Sequence, residues 1–268
     1  MNTYSTVGFW VGLGLVAGAV SSCAPTVSTL QLEPVSGDVA TIDGRAVTKI
    51  ERNGVGVVAS FEREDMEFVT LDVEVKNRTN DTIEVNPADF HFVALGTQQD
   101  TLRDPRNAAA KFAGEAADPT HEAGRIQLKQ KQEVKRLKRA KVFNTVLMIA
   151  AIASDVSSSS KSRSYNEYVG NRVAHNVAYQ GIAVKRAIDH STFADRMQRY
   201  DYEEYRWRTI ALKANALAPG ESVRGFVYLP KVQAARYLAV TYSLPEQATV
   251  PILFKQEVIK EKKNRRHR

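Results

Sequence analysis

From Val47 to Leu95 apolar and polar residues alternate with period two, the signature of strands that turn one face to a core. Phe68–Asn77 is the clearest case. Val69, Leu71, Val73 and Val75 fall on one face; Thr70, Asp72, Glu74 and Lys76 fall on the other, which this pattern places in water. Gly54–Phe61 precedes it as a strand. Thr82–Val85 and Phe90–Leu95 follow, set apart by the turn residues Asn77–Asp81 and by the corner Pro87-Ala88-Asp89. The period returns after Tyr205. Arg206–Leu212, Val223–Leu229, Tyr237–Leu244 and Thr249–Gln256 read as strands, the first two joined through Pro219-Gly220.

Between these two stretches the pattern is helical. Arg106–Ala117 is Ala-rich and reads as a short helix. Asp118 followed by Pro119 is a start signal for a longer one. Its first part, Arg125–Lys141, holds eight basic residues and one acid, Glu133; its second part, Val142–Ala153, is apolar apart from Asn144 and Thr145. Ser157–Ser164 reads as a loop. A second helix runs from Tyr165 to about Gln198 with the apolar stripe Val169, Val173, Val177, Val184 and Ile188, so the two make a helical hairpin. Twelve apolar residues cover about 18 Å as helix, against roughly 30 Å of bilayer hydrocarbon. Three readings of that segment stand open. It packs beneath the sheets or against the second helix. It dips into an anionic lipid surface, with Lys135, Arg136, Lys138, Arg139 and Lys141 at the head groups. Or it mediates self-association.

The ends carry less pattern. Ala24–Gly44, rich in Pro, Ser, Thr and Gly, reads as a flexible tether with a weak strand signal at Val27–Leu32. Lys255–Arg268 has seven Lys or Arg and two Glu, and reads as frayed helix or disordered tail. At the other end, Val7–Val20 is an uncharged apolar run of 14 residues, the length of a signal-peptide core rather than of a permanent span. Cys23 is the only cysteine of the 268 residues, so no internal disulfide forms and stability must come from packing. The formal charge of +7 is concentrated in the first long helix and the C-terminus; for an exported chain it does not point to nucleic acid.

Two resemblances add to this. Val20-Ser21-Ser22-Cys23 resembles a bacterial lipobox, although Met1–Thr6 lacks the usual Lys or Arg. The resemblance implies diacylglycerol on the Cys23 sulfur, cleavage before it, palmitate-type acylation and membrane anchoring; Ala24 in place of Asp implies the outer membrane of a diderm envelope. The run from Val69 to Phe90 (V-T-L-D-V-E-V-K-N-R-T-N-D-T-I-E-V-N-P-A-D-F) and L-A-P-G-E-S-V-R-G-F-V-Y-L-P resemble the two halves of the Ig-like domains of uncharacterised bacterial lipoproteins. That likeness spans about 100 residues and implies a fold without a chemistry. The expected class is therefore α+β: an Ig-like antiparallel β-sandwich interrupted by a long helical hairpin. The divisions are residues 1–22 signal peptide, 23–45 lipidated cysteine and tether, 46–104 first half-sandwich, 105–204 insertion, 205–256 second half-sandwich and 257–268 basic tail.

Catalytic patterns fail residue by residue. His121-Glu122 opens a zinc-protease motif, but residue 125 is Arg. Gly220-Glu221-Ser222-Val223-Arg224 lacks the second glycine of a nucleophile elbow. His91 reads as one position of a sheet face. His175 and His190 lie about four turns apart and cannot share a metal. No enzyme, cofactor or metal is expected. The remaining candidate is aromatic and basic: Tyr200, Tyr202, Tyr205 and Trp207, with Arg196, Arg199, Arg206 and Arg208, form either a stacking surface for sugars or bases or the packed junction between helix and strand. The leading expectation is a non-catalytic, lipid-anchored envelope protein that binds or scaffolds a partner, either an anionic lipid or an envelope protein. The alternatives are a glycan- or small-molecule-binding module at that junction and an envelope hydrolase.

Overall fold

The structure, a computed structural model, describes residues 26–104 and 107–262. The leader, Cys23 and residues 263–268 of the expected tail lie outside them. The chain is mixed α+β, with antiparallel sheets and two long helices. In order come β1 (Thr26–Pro34), β2 (Asp38–Ile42), β3 (Arg45–Arg52), β4 (Val55–Glu64), β5 (Phe68–Asn77), β6 (Ile83–Val85), β7 (Phe90–Leu95), β8 (Arg103–Asp104), β9 (Asn107–Lys111) and β10 (Ala113–Glu115). The helices α1 (Pro119–Lys161) and α2 (Tyr165–Tyr205) follow, then a π-helical turn over Arg206–Ile210. β11 (Asn215–Leu217), β12 (Ser222–Pro230), β13 (Tyr237–Leu244) and β14 (Ala248–Lys262) close the chain.

One five-stranded sheet has the order β1-β14-β13-β7-β10 and the other β12-β5-β4-β3-β2; β11 pairs β6 and β8 pairs β9. The alternation seen in the sequence sets which faces meet. Val55, Val57 and Ala59 of β4 and Val69, Leu71, Val73 and Val75 of β5 share one buried cluster with Phe90 and Phe92 of β7, Leu238, Val240 and Tyr242 of β13 and Val250, Ile252 and Phe254 of β14. Two hairpin turns use the left-handed backbone that Asn, Asp and Gly tolerate: Asp43-Gly44 (φ 49° and 77°) and Asn53-Gly54 (φ 49° and 78°). Asn77 is fully buried at the end of β5. Its side-chain amide donates to the carbonyls of Asp81 (2.7 Å) and Leu217 (2.9 Å), tying the turn after β5 to β11.

Several sequence expectations are corrected. The tether at Ala24–Gly44 holds β1, which contains the weak strand signal at Val27–Leu32 and pairs along its whole length with β14, and β2. The same ladder turns the expected tail into strand as far as Lys262. In β1 the buried Leu30 and Leu32 alternate with exposed Thr29, Gln31 and Glu33, a period too short to stand out in the sequence. Arg106–Ala117 is not a helix in its described part, which forms β9 and β10; β10 instead pairs the exposed edge of β7. A helix that short is marginal alone, whereas a sheet edge offers ready backbone partners. The Ser-rich loop is mostly helix. Ser158, Ser160 and Ser162 donate to carbonyls three or four residues back, so α1 runs on to Lys161. Arg206–Leu212 begins as a π-helical turn rather than a strand. The second face of β5 is not wholly wet either: Thr70 and Asp72 are buried, and the Arg224 guanidinium of β12 covers Asp72 with Nε 2.9 Å from Oδ1.

Candidate functional site

α1 starts where the sequence places it: Asp118 accepts from the Thr120 amide (2.8 Å) and Pro119 takes the first turn. At 43 and 41 residues, α1 and α2 are each about 60 Å long. The sheets hold only their root. There Ala123 and Ile126 of α1 pack with Trp207, Ala211 and Tyr228, and Phe68 and Tyr200 close around them. Trp207 lies 4.1 Å from the Tyr228 ring and 5.5 Å edge-on from Phe68. The buried Arg206 guanidinium donates to Asp65 (2.9 Å) and lies over Tyr228. Burial pulls its pKa down, but the bond to Asp65 and the neighbouring oxygens outweigh that and raise it. Burial raises the Tyr228 hydroxyl.

The proposed stacking surface is therefore divided. Trp207 is 6 % exposed and spends its ring faces on packing, while Tyr202 and Tyr205 are exposed. The Tyr202 hydroxyl accepts from Arg63 at 3.1 Å, which lowers its pKa. An open sugar platform needs a free ring face, and the largest ring of the three has none.

Beyond the root, from Gln130 to Gln198, every described hydrogen bond or ion pair between elements joins one helix to the other. The seam is polar. Asn144 donates to Asp189 (2.9 Å), which also accepts from Lys185 (2.7 Å). Asp155 accepts from Arg172 (3.0 Å) and Tyr179 (3.2 Å). Ser158 Oγ and His175 Nε2 lie 2.8 Å apart, and Asn171 donates to Ser162 (3.1 Å) near the tip. Nearer the root Arg196 meets Glu133 (2.9 Å), Gln130 meets Asp201 (3.0 Å) and Gln127 meets Glu204 (2.9 Å). Asn144 and Asp155 are among the few polar side chains the molecule buries.

The apolar residues point the other way. On α1, Val142, Phe143, Val146, Ile149, Ile152 and Val156 are 49–66 % exposed; on α2, Val169, Val173, Val177, Val184 and Ile188 are 40–64 % exposed. The expected stripe of α2 thus exists but is largely exposed, and the apolar half of α1 is divided: Leu147, Met148 and Ala151 are half-buried while Val142, Val146, Ile149 and Ile152 stay exposed. Helical spacing explains this. Asn144, Leu147, Ala151, Asp155 and Ser158 recur on the face that meets α2, opposite Val142, Val146, Ile149 and Val156. Of the basic candidates, Lys135, Arg136, Lys138, Arg139 and Lys141 are all exposed, and among the described residues only Arg136 makes an ion pair, with Glu133. Among the described helices, α1 alone is long and apolar enough, by length and composition, to cross a membrane.

No described group of three His, Cys, Asp or Glu residues could hold a metal ion. The clefts are open: at the root, about 180 Å³ between Asp65, Arg125 and Trp207 and about 460 Å³ along Gly124, Gln127, Trp207 and Arg208; between the helices, about 150 Å³ near Arg136 and Asp189 and about 450 Å³ at Asp155, Tyr168 and Arg172. Sequence reasoning missed the seam residues Asn144, Asp155, Arg172, His175, Tyr179 and Asp189. The available signal was Asp155, a single acid inside an otherwise uncharged run.

The start of β1 lies at the root's end of the sheets. β1 and β14 stay paired past Glu33↔Lys255, level with Tyr237 at the start of β13, as far as Thr26↔Lys262, about 23 Å further along the strands. At that end Gln256 donates to the carbonyls of Val232 and Ala235, and the Lys231 amide donates to Glu67 (2.9 Å), beside the root residues Asp65 and Arg125. No family model, curated protein or solved structure matches this chain.

Proposed function

We propose that this chain is a non-catalytic, lipid-anchored protein of the cell envelope, held in the outer membrane through Cys23, whose helical hairpin is a binding or scaffolding arm. The two sheets, facing each other across one apolar cluster, are its Ig-like β-sandwich body. The observation that carries this reading is the arm itself: about three quarters of each helix lies clear of the body, with a polar seam inside and apolar faces outside. A helix kept only as a strut would turn its apolar face to its neighbour. The position of β1 supports the anchor. Two residues, Ala24 and Pro25, separate Cys23 from Thr26, a reach of at most about 11 Å, so lipid on Cys23 would tie down the end of the body that carries the arm.

The anchor is tested apart from the arm by feeding labelled palmitate to cells that make the full chain. Wild type is expected to take up label and Cys23→Ser to take up none. Equal labelling of both, or none in either, removes the lipoprotein reading.

A further inference from the structure

We infer that the distal hairpin crosses a lipid bilayer, its outward faces in the hydrocarbon and its tip on the far side. This rests on reading the hairpin as the working arm and does not require acylation of Cys23.

The first argument is length. Because α1 continues through its serines, the run between Lys141 and Lys161 is 19 residues, not the twelve read from the sequence. As helix it covers about 28 Å, close to the roughly 30 Å hydrocarbon core. On α2 the run between Arg172 and Lys185 is 12 uncharged residues, about 18 Å. The charged side chains at its two ends stay in the seam, Arg172 on Asp155 and Lys185 on Asp189.

The second argument is the placement of charge. The one acid inside the α1 run, Asp155, is buried in the seam and satisfied by Arg172 and Tyr179. His175 and Tyr179 in the α2 run also turn inward onto partners. Ionisable groups within a bilayer face the bundle interior and pair, and this seam arranges them so. Serine hydroxyls bonded to their own helix carry little polarity to the lipid.

The third argument is the basic collar. Lys135, Lys138, Arg139 and Lys141 end where the uncharged run begins, and Lys161 and Arg163 stand at its far end. Both levels suit anionic head groups. A second copy is the other candidate cover, but it fits less well: parallel pairing through α1 would set Lys135, Lys138 and Arg139 against the same residues of its mate.

Alkaline carbonate extraction of membranes from cells making the full chain tests this. The Cys23→Ser protein is expected to stay in the pellet without any acyl chain. Adding Val146→Arg and Ile149→Arg should lower its pelleted fraction at least tenfold, while adding Ile149→Leu should not. Both sites are exposed, so the sheets should keep their thermal transition in every variant. Release of Cys23→Ser alongside retention of acylated wild type overturns the insertion and leaves the anchor standing. Retention of the double-Arg variant overturns it too, as does disulfide cross-linking between copies of a soluble Cys23→Ser, Ile149→Cys protein, which would assign the apolar faces to a second copy.

Discussion

The root is where the arm meets the body, and Trp207→Ala tests it most sharply. Trp207 is buried against Tyr228, Phe68, Ala123 and Ile126 in a cluster separate from the main core. Truncating a buried Trp to Ala costs about 3–5 kcal/mol, combining lost burial with an unfilled cavity. Two aromatic contacts, at 4.1 and 5.5 Å, are lost in the same step. Taking 3 kcal/mol as the low end, the folded-to-unfolded ratio falls by about two powers of ten. For a body of this size that corresponds to a drop of about 6–12 °C in Tm. Urea and thermal unfolding, followed by circular dichroism at a helical and a sheet wavelength, should show the loss. Tyr202→Ala and Tyr205→Ala serve as controls; both rings are exposed and should cost under about 1 kcal/mol. A Trp207→Ala protein within 1 kcal/mol of wild type, or a Tyr202→Ala protein equally damaged, would refute the division of this cluster into a packed ring and two surface rings.

Tyr242 is buried and its hydroxyl has no hydrogen-bond partner among the described residues, so Tyr242→Phe should be neutral or stabilise by up to about 1 kcal/mol in a urea titration. Burial raises the Tyr242 pKa, so its contribution is intact below the ordinary tyrosine value near 10 and is lost as pH rises through the higher folded value; the Phe variant should lose less stability in alkali. Asn77→Ala frees two buried carbonyls and should cost about 2–3 kcal/mol by chemical denaturation, with Asn77→Asp no better because it cannot donate to them. Replacing residues 127–204 by a short Gly/Ser linker should leave a β-rich protein that unfolds cooperatively in a calorimeter; absence of a transition would show that the body depends on the arm.

The strands with one buried face were legible because burial imposes a strict period: β13 places Leu238, Val240, Tyr242 and Leu244 inside, as its alternation predicts. β1 was only faintly legible, as the weak signal at Val27–Leu32, and the far half of β14 was not, since its pairing with β1 is a long-range contact that leaves no local period. The hairpin was legible as two helices and a turn, while the facing of the apolar half of α1 stayed open among three readings. Apolar stripes are ordinarily read as contact faces, and nothing local distinguishes a stripe that meets protein from one that meets another apolar medium. The seam was the missing information. Asn144, Asp155 and His175 look like surface residues until Asp189, Arg172 and Ser158 are set opposite them.

The depth of α1 in a bilayer is the most direct measurement. In the Cys23→Ser background, single fluorophores placed through Arg139→Cys, Val146→Cys, Ile149→Cys, Ile152→Cys and Ser160→Cys can be quenched by nitroxide lipids in reconstituted vesicles. Quenchers at the bilayer centre should act most strongly at 149 and 152, and those at the head groups at 139 and 160, with labels in the middle shifted to the blue. Water-like emission at 149 and 152, with no dependence on quencher depth, would contradict the bilayer-spanning arm.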